Sequence, residues 1–313
     1  MTTRHLDAPA GSPAPIDHPA YAHEEDAMTT TTTTAMTTRY LDVPDGRVAY
    51  DDAGSGPLVV CVPGLGDVRA SYRFLAPQLV AAGYRVVTMD LRGHGDSSVG
   101  WADYRDTAIA GDALALVRAL DAGPATLIGN SYGGAAVAYA AAIDPAAVSA
   151  LALLDAFVRD VPQTMLQRLG VGAVTLLGPR AWVAYYKTLY PSAPPADFAA
   201  YRAALKANLK EPGRYASVKA MMSATQGSHA AVEARLGDIK APTLVVIGAK
   251  DPDFPDPAGE ARRTAKALRG AARVEVAMVE GAGHYPHAEF PAVVGPRMVA
   301  FLPQALGEAT RGA

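Results

Sequence analysis

Residues 126–134 read Thr-Leu-Ile-Gly-Asn-Ser-Tyr-Gly-Gly, and a small-residue helix is expected over Ala135–Ala142. A strand running straight into Gly129-Asn130-Ser131-Tyr132-Gly133 and then into a helix is the setting of a nucleophile elbow. So tight a turn strains the serine backbone, and glycine at 129 and 133 removes the side chains that would clash. Ser131 Oγ then projects clear of the sheet. The N–H of Tyr132, at the helix N-terminus, faces the place where an oxyanion would form. A second donor is expected from the loop Val62-Pro63-Gly64-Leu65-Gly66-Asp67, through the backbone N–H of Leu65.

A serine hydroxyl needs a base, and the base needs an orienting acid. Of the seven histidines, His5, His18 and His23 lie in a polar leading segment, and His229 falls in a helical stretch far from any strand end. His94, in Arg92-Gly93-His94-Gly95-Asp96, is expected to brace its own loop. His284 and His287 follow the last strand in Gly281-Ala282-Gly283-His284-Tyr285-Pro286-His287. The flanking glycines would let His284 return over the sheet edge as the base, leaving His287 as a surface or pocket-wall residue. Asp251 is the first carboxylate beyond the strand Leu244–Ile247 and is the expected acid. Asp155, at the end of the preceding strand, is its rival, and Asp253 and Asp256 read as solvated turn residues.

The elements that must hold these groups alternate. Apolar runs at Leu58–Val62, Arg85–Met89, Ala125–Ile128, Ala150–Leu154, Thr243–Ile247 and Val274–Val279 alternate in the first part of the chain with helical periodicity, as at Tyr72–Ala82 and Thr107–Leu120. That rhythm predicts an α/β fold with a mostly parallel sheet covered on both faces. Ahead of it, Tyr40–Val43 and Arg47–Tyr50 flank Asp45-Gly46 and predict a hairpin. Residues 157–240 break the pattern with helices alone, read as a cap inserted after the sixth strand between core segments 36–156 and 241–313.

Composition limits the alternatives. The 313 residues carry 28 Lys+Arg against 31 Asp+Glu, a balance unlike that of a sequence-independent nucleic-acid binder. Cys61, the single cysteine, sits in an apolar strand and reads as core. The longest apolar stretch, Ala135–Ile143, is too short for a bilayer, which takes roughly 20 residues. No membrane partner and no secretory signal are expected, so a cytoplasmic location is the default. Residues 1–35, rich in Pro, Thr and acidic residues, are expected to be a disordered, dispensable extension. Their opening Met1-Thr2-Thr3-Arg4 recurs at Met36-Thr37-Thr38-Arg39. No metal-ligand cluster and no Gly-x-Gly-x-x-Gly fingerprint stands in the sequence, so neither a metal nor an organic cofactor is expected.

Together these residues resemble the α/β-hydrolase superfamily over about residues 38–306. The order Ser131, Asp251, His284 is that family's triad order. Asp90-Leu91-Arg92-Gly93-His94-Gly95-Asp96-Ser97 is similar to its loop after the fourth strand, and Gly283-His284 with Glu289 and Pro291 is similar to its terminal histidine motif. The family usually carries His-Gly where this chain has Pro63-Gly64. Serine at the elbow argues against its epoxide hydrolases and haloalkane dehalogenases, whose nucleophile is a carboxylate. Asn130 is similar to its carbon–carbon bond hydrolases, although Tyr285 stands where those usually place tryptophan.

The resemblance implies a serine hydrolase acting on an ester or lactone of a small-molecule substrate, with two alternatives: a carbon–carbon hydrolase of vinylogous diketones, or a slow ligand sensor. In the cap, Trp182, Tyr185, Tyr186 and Tyr190 fall at nearly helical spacing. They suit either packing between helices or an aromatic roof over an apolar acyl pocket, with Met165, Met221 and Met222 as adaptable fillers. Trp182, Tyr185, Tyr186 and Met222 are the expected substrate contacts.

Overall fold

The computed structural model describes residues 37–161, 165–224 and 229–309. The expectations for residues 1–35 fall outside these. The described chain begins with a hairpin, β1 (Thr37–Val43) and β2 (Gly46–Ala53). Val43 pairs with Gly46, so the two turn residues are Pro44 and Asp45, one position earlier than the Asp-Gly signal suggested. The proline ring fixes the first turn φ, and only Asp45, at φ 71°, needs the left-handed region.

Six further strands follow: β3 (Leu58–Val62), β4 (Arg85–Met89), β5 (Ala125–Asn130), β6 (Val148–Leu154), β7 (Thr243–Gly248) and β8 (Val274–Val279). They form one eight-stranded sheet of order β1-β2-β4-β3-β5-β6-β7-β8. β2 pairs antiparallel with both β1 and β4, and β4-β3-β5-β6-β7-β8 run parallel. The apolar runs are continuous because both faces of the sheet are covered. In β3, Val60 and Val62 enter one hydrophobic cluster, and Val59 and Cys61 enter the other. Burial drives the Cys61 thiol pKa upward, as befits a core residue.

One face is covered by α2 (Asp106–Leu120), α3 (Ser131–Ile143) and α9 (Pro257–Ala267), the other by α1 (Leu75–Ala81) and α11 (Pro291–Ala309). From Ser131 to Ala138 every residue of α3 is buried, which its alanines and glycines permit by letting β5, β6 and α2 approach closely. Between β6 and β7 lie α4 (Met165–Leu177), α5 (Pro179–Thr188), α6 (Phe198–Asn208), α7 (Arg214–Ala224) and α8 (His229–Glu233), with no strand among the described residues. Four of these helices share a third cluster, in which Val174 of α4, Trp182 and Tyr186 of α5, Tyr201 and Leu205 of α6 and Val218 of α7 pack with Tyr285. Tyr285 lies immediately before the short helix α10 (Pro286–Glu289).

Candidate active site

Ser131 is the first residue of α3 and has φ 54°, a left-handed backbone that costs a non-glycine residue of order 1 kcal/mol. Crowding explains why the turn needs glycines. A Cβ on Gly133 would lie 2.3 Å from the Pro63 carbonyl oxygen, and one on Gly129 would lie 2.4 Å from the Gly133 carbonyl oxygen. The loop after β3 arches over the serine: a Cβ on Gly64 would stand 3.0 Å from Ser131 Cβ and 3.5 Å from its Oγ. That brings the segment carrying Leu65 against the elbow that carries Tyr132. Among the described residues Ser131 Oγ makes no hydrogen bond, and such contacts in unliganded enzymes commonly tighten only around substrate.

His284 is anchored through its backbone. Its N–H donates to the Leu189 carbonyl at 3.0 Å, and its own carbonyl accepts from Asn130 Nδ2 at 3.0 Å. Asn130 Nδ2 also donates to the Leu154 carbonyl, so the residue before the serine stitches the elbow to the histidine loop. That structural task accounts for asparagine at this position.

The carboxylate that touches the imidazole is Asp251: Nδ1–H donates to Asp251 Oδ2 at 2.7 Å, leaving Nε2 as the nitrogen that can accept a proton. Asp251 Oδ1 accepts from the Asp253 N–H at 2.9 Å, which fixes the carboxylate plane. Asp155 stands behind this pair, with φ 43° and Oδ1 accepting from the Gly248 N–H at 2.8 Å. Full burial, and then the neighbouring Asp251, hold the Asp155 pKa well above the usual carboxylate range. Asp155, Asp251 and His284 are the one group of potential metal donors among the described residues. Four of their atoms are already committed: His284 Nδ1 and Asp251 Oδ2 to each other, and Asp251 Oδ1 and Asp155 Oδ1 each to a backbone N–H.

Burial opposes charge on His284, but Asp251 and, more weakly, Asp253 outweigh it and raise its pKa above the usual 6.5. A base must be neutral to accept a proton, so the acid limb of kcat/KM is expected to have its midpoint above pH 6.5, activity falling as pH drops through it. A pH profile with an acid limb centred below 6.5 would contradict this.

Two sequence expectations need correction. Asp253 is not a solvated turn residue: its side chain is 16 % exposed, Oδ2 lies 3.9 Å from His284 Nε2, and both oxygens accept from the Tyr185 hydroxyl, at 2.6 and 2.8 Å. The loop from Asp251 to Asp253 folds back on the imidazole, which sequence position alone does not reveal. His287 is no surface residue either. It is wholly buried in α10, its ring stacked 4.8 Å from that of Tyr72, and burial lowers its pKa to about 3.

The loop bearing Leu65 is gripped from two sides. The Gly66 N–H donates to His94 Nε2 at 3.0 Å, while His94 Nδ1 pairs with the Arg92 carbonyl, which fixes the neutral tautomer. Burial agrees, lowering the His94 pKa to about 4. From the other side, Trp182 Nε1 donates to the Gly66 carbonyl at 3.0 Å. Asp67, fully buried, accepts from Tyr186 and Tyr201 hydroxyls at 2.8 and 2.5 Å. Trp182 and Tyr186 thereby join α5 to this loop, and Tyr201 joins α6 to it. Tyr185 turns toward Asp253, and Met222 is partly buried against the same aromatic cluster. Nothing in the sequence pointed to Asp67, whose partners lie more than a hundred residues away.

Residues 57–291 match the family model described as the alpha/beta hydrolase fold. A stretch of 114 residues, 36 % of this chain, is 32 % identical to bifunctional epoxide hydrolase 2 of Sus scrofa, of which it spans only 20 %. Among solved structures, a membrane phospholipase A described as a bacterial virulence factor superposes with TM-score 0.74 and 25 % identity, covering 86 % of each chain. A thermophilic esterase from Thermogutta terrifontis superposes with TM-score 0.68 and 22 % identity, covering 87 % of this chain and 99 % of the other. No helix among the described residues is long and apolar enough to cross a membrane.

Proposed function

The chain belongs to the alpha/beta hydrolase fold family and is a hydrolase; within that family we propose that it cleaves a carboxylic ester or lactone of a small to medium hydrophobic substrate through an acyl-enzyme. The carrying observation is the 2.7 Å hydrogen bond that His284 Nδ1–H donates to Asp251, beside an elbow that holds Ser131 at φ 54°. Ser131 Oγ attacks the carbonyl carbon as its proton passes to His284 Nε2, and the carbonyl π electrons move onto oxygen. The backbone N–H groups of Leu65 and Tyr132 hold that oxyanion. Collapse breaks the bond to the leaving oxygen, which takes the proton from Nε2. Water, deprotonated by the same nitrogen, then hydrolyses the acyl-serine. Asp251 supports the imidazolium without taking its proton.

In this reading residues 157–240 act as a cap over a core of 36–156 and 241–313, and the enzyme works in the cytoplasm without a cofactor. The epoxide hydrolase match does not set the bond type, because serine occupies the elbow. Asn130 gives the carbon–carbon alternative no support beyond its identity, since both its amide hydrogen bonds are structural. The test is a panel of short p-nitrophenyl esters, lactones and vinylogous diketones. Steady multiple turnover of the esters or lactones is expected. Cleavage of the diketones alone would replace this reading with the carbon–carbon one, and a single turnover followed by stalling would replace it with a sensor.

A further inference from the structure

The nitrogen that returns a proton to the leaving group must stand within hydrogen-bond reach of the leaving oxygen, roughly 2.6–3.2 Å. Asp253 Oδ2 stands 3.9 Å from that same nitrogen, His284 Nε2. The alcohol half of a bound ester therefore begins beside a carboxylate. That carboxylate is not a stray surface group. The Tyr185 hydroxyl, reaching over from α5, holds it through both oxygens, and its own backbone N–H is tied to Asp251 Oδ1. Tyr185 is in turn set by an edge-on contact with Trp182, ring centroids 5.9 Å apart. A carboxylate accepts hydrogen bonds and donates none, and one facing an aliphatic group across a partly desolvated wall loses hydration without compensation.

We propose that Asp253, positioned by Tyr185, determines specificity for the alcohol half of the substrate, selecting esters whose leaving alcohol carries a hydroxyl on the carbon next to the one bearing the ester oxygen. This builds on the serine-esterase reading of the site. A hydroxyl there lies about one hydrogen-bond length beyond the leaving oxygen and meets the Asp253 carboxylate. An anionic group at the same place is repelled.

The decisive comparison is 2-hydroxyethyl butyrate against propyl butyrate, which share the acyl half and differ by a hydroxyl in place of a methyl. After division by the hydroxide-catalysed rates, the wild-type kcat/KM ratio should favour the hydroxy ester by at least about 10-fold, the range of a hydrogen bond to a charged group. Asp253→Leu should bring the ratio to about one, and Asp253→Asn, which keeps the size and one acceptor oxygen, should leave an intermediate preference. Carboxymethyl butyrate, with an anionic leaving half, should be the poorest of the three esters for the wild type. A wild-type ratio near one overturns the proposal without any variant, and so does a high ratio that survives both substitutions. If fluorophosphonate labels Ser131 and propyl butyrate is hydrolysed without preference, the specificity role alone is lost. If neither labelling nor turnover of any ester occurs, the esterase reading falls and takes this one with it.

Discussion

Ser131→Ala is expected to lose fluorophosphonate labelling completely and to lower kcat on p-nitrophenyl butyrate by roughly 10⁴–10⁶-fold. The size of the effect follows from what the substitution leaves behind. The amides of Leu65 and Tyr132 and the His284–Asp251 pair remain, and such remnants still give a residual acceleration of roughly 10³–10⁴ over water in enzymes of this kind. What goes is the atom that forms the covalent bond. The strained φ of Ser131 is set by the turn between β5 and α3, so alanine should occupy the same backbone and the variant should melt near the wild type. Retained labelling, or loss of less than about tenfold in kcat with labelling elsewhere, would exclude Ser131 as the nucleophile.

The second large effect is a contrast between two neighbouring acids. Asp251→Asn should lower kcat by about 10⁴, because an amide in that place cannot support the imidazolium and permits the wrong tautomer. Asp155→Asn should cost less than about tenfold, because Asp155 does not touch the imidazole, burial beside Asp251 shifts it toward the neutral form, and an amide resembles a neutral carboxyl in shape. Both variants are read on the same ester with kcat and KM separated. Reversed magnitudes would transfer the orienting role to Asp155. Equal large losses, with unchanged melting temperatures, would mean that the two carboxyls share the role.

Much of this arrangement was legible before any coordinates because it depends on local rules. The strands at Leu58–Val62, Arg85–Met89 and Val274–Val279 occupy the residues the sequence marks, and Leu58–Val62, buried on both faces, has no polar interruption. The elbow could be read from glycines at 129 and 133, where backbone carbonyls come too close for a Cβ. The hairpin turn slipped by one because proline at 44 outweighs the Asp-Gly preference.

What stayed hidden depends on pairings distant in the chain. Asp253 was misjudged because nothing in Asp251-Pro252-Asp253 says which way the loop folds, and its partner Tyr185 is 68 residues away. Of the two readings for His287, surface or pocket wall, burial removes the first, for a similar reason: its ring stacks on Tyr72, distant in the chain. The spacing of Trp182, Tyr185 and Tyr186 announces a cluster, but not that one tyrosine holds the Asp253 carboxylate while its neighbours hold a glycine carbonyl and a buried aspartate.

The two peptide groups that flank Gly66 are held, one by a histidine of the core and the other, through its carbonyl, by a tryptophan of the inserted helices. An excursion of those helices large enough to free that tryptophan would loosen the segment that carries the Leu65 N–H, the proposed oxyanion donor. Admitting a molecule by such an excursion and being primed to cleave it would then be mutually exclusive states. Grafting the insertion from a relative would disturb turnover as well as selectivity, unless the graft brought a donor of its own for that carbonyl.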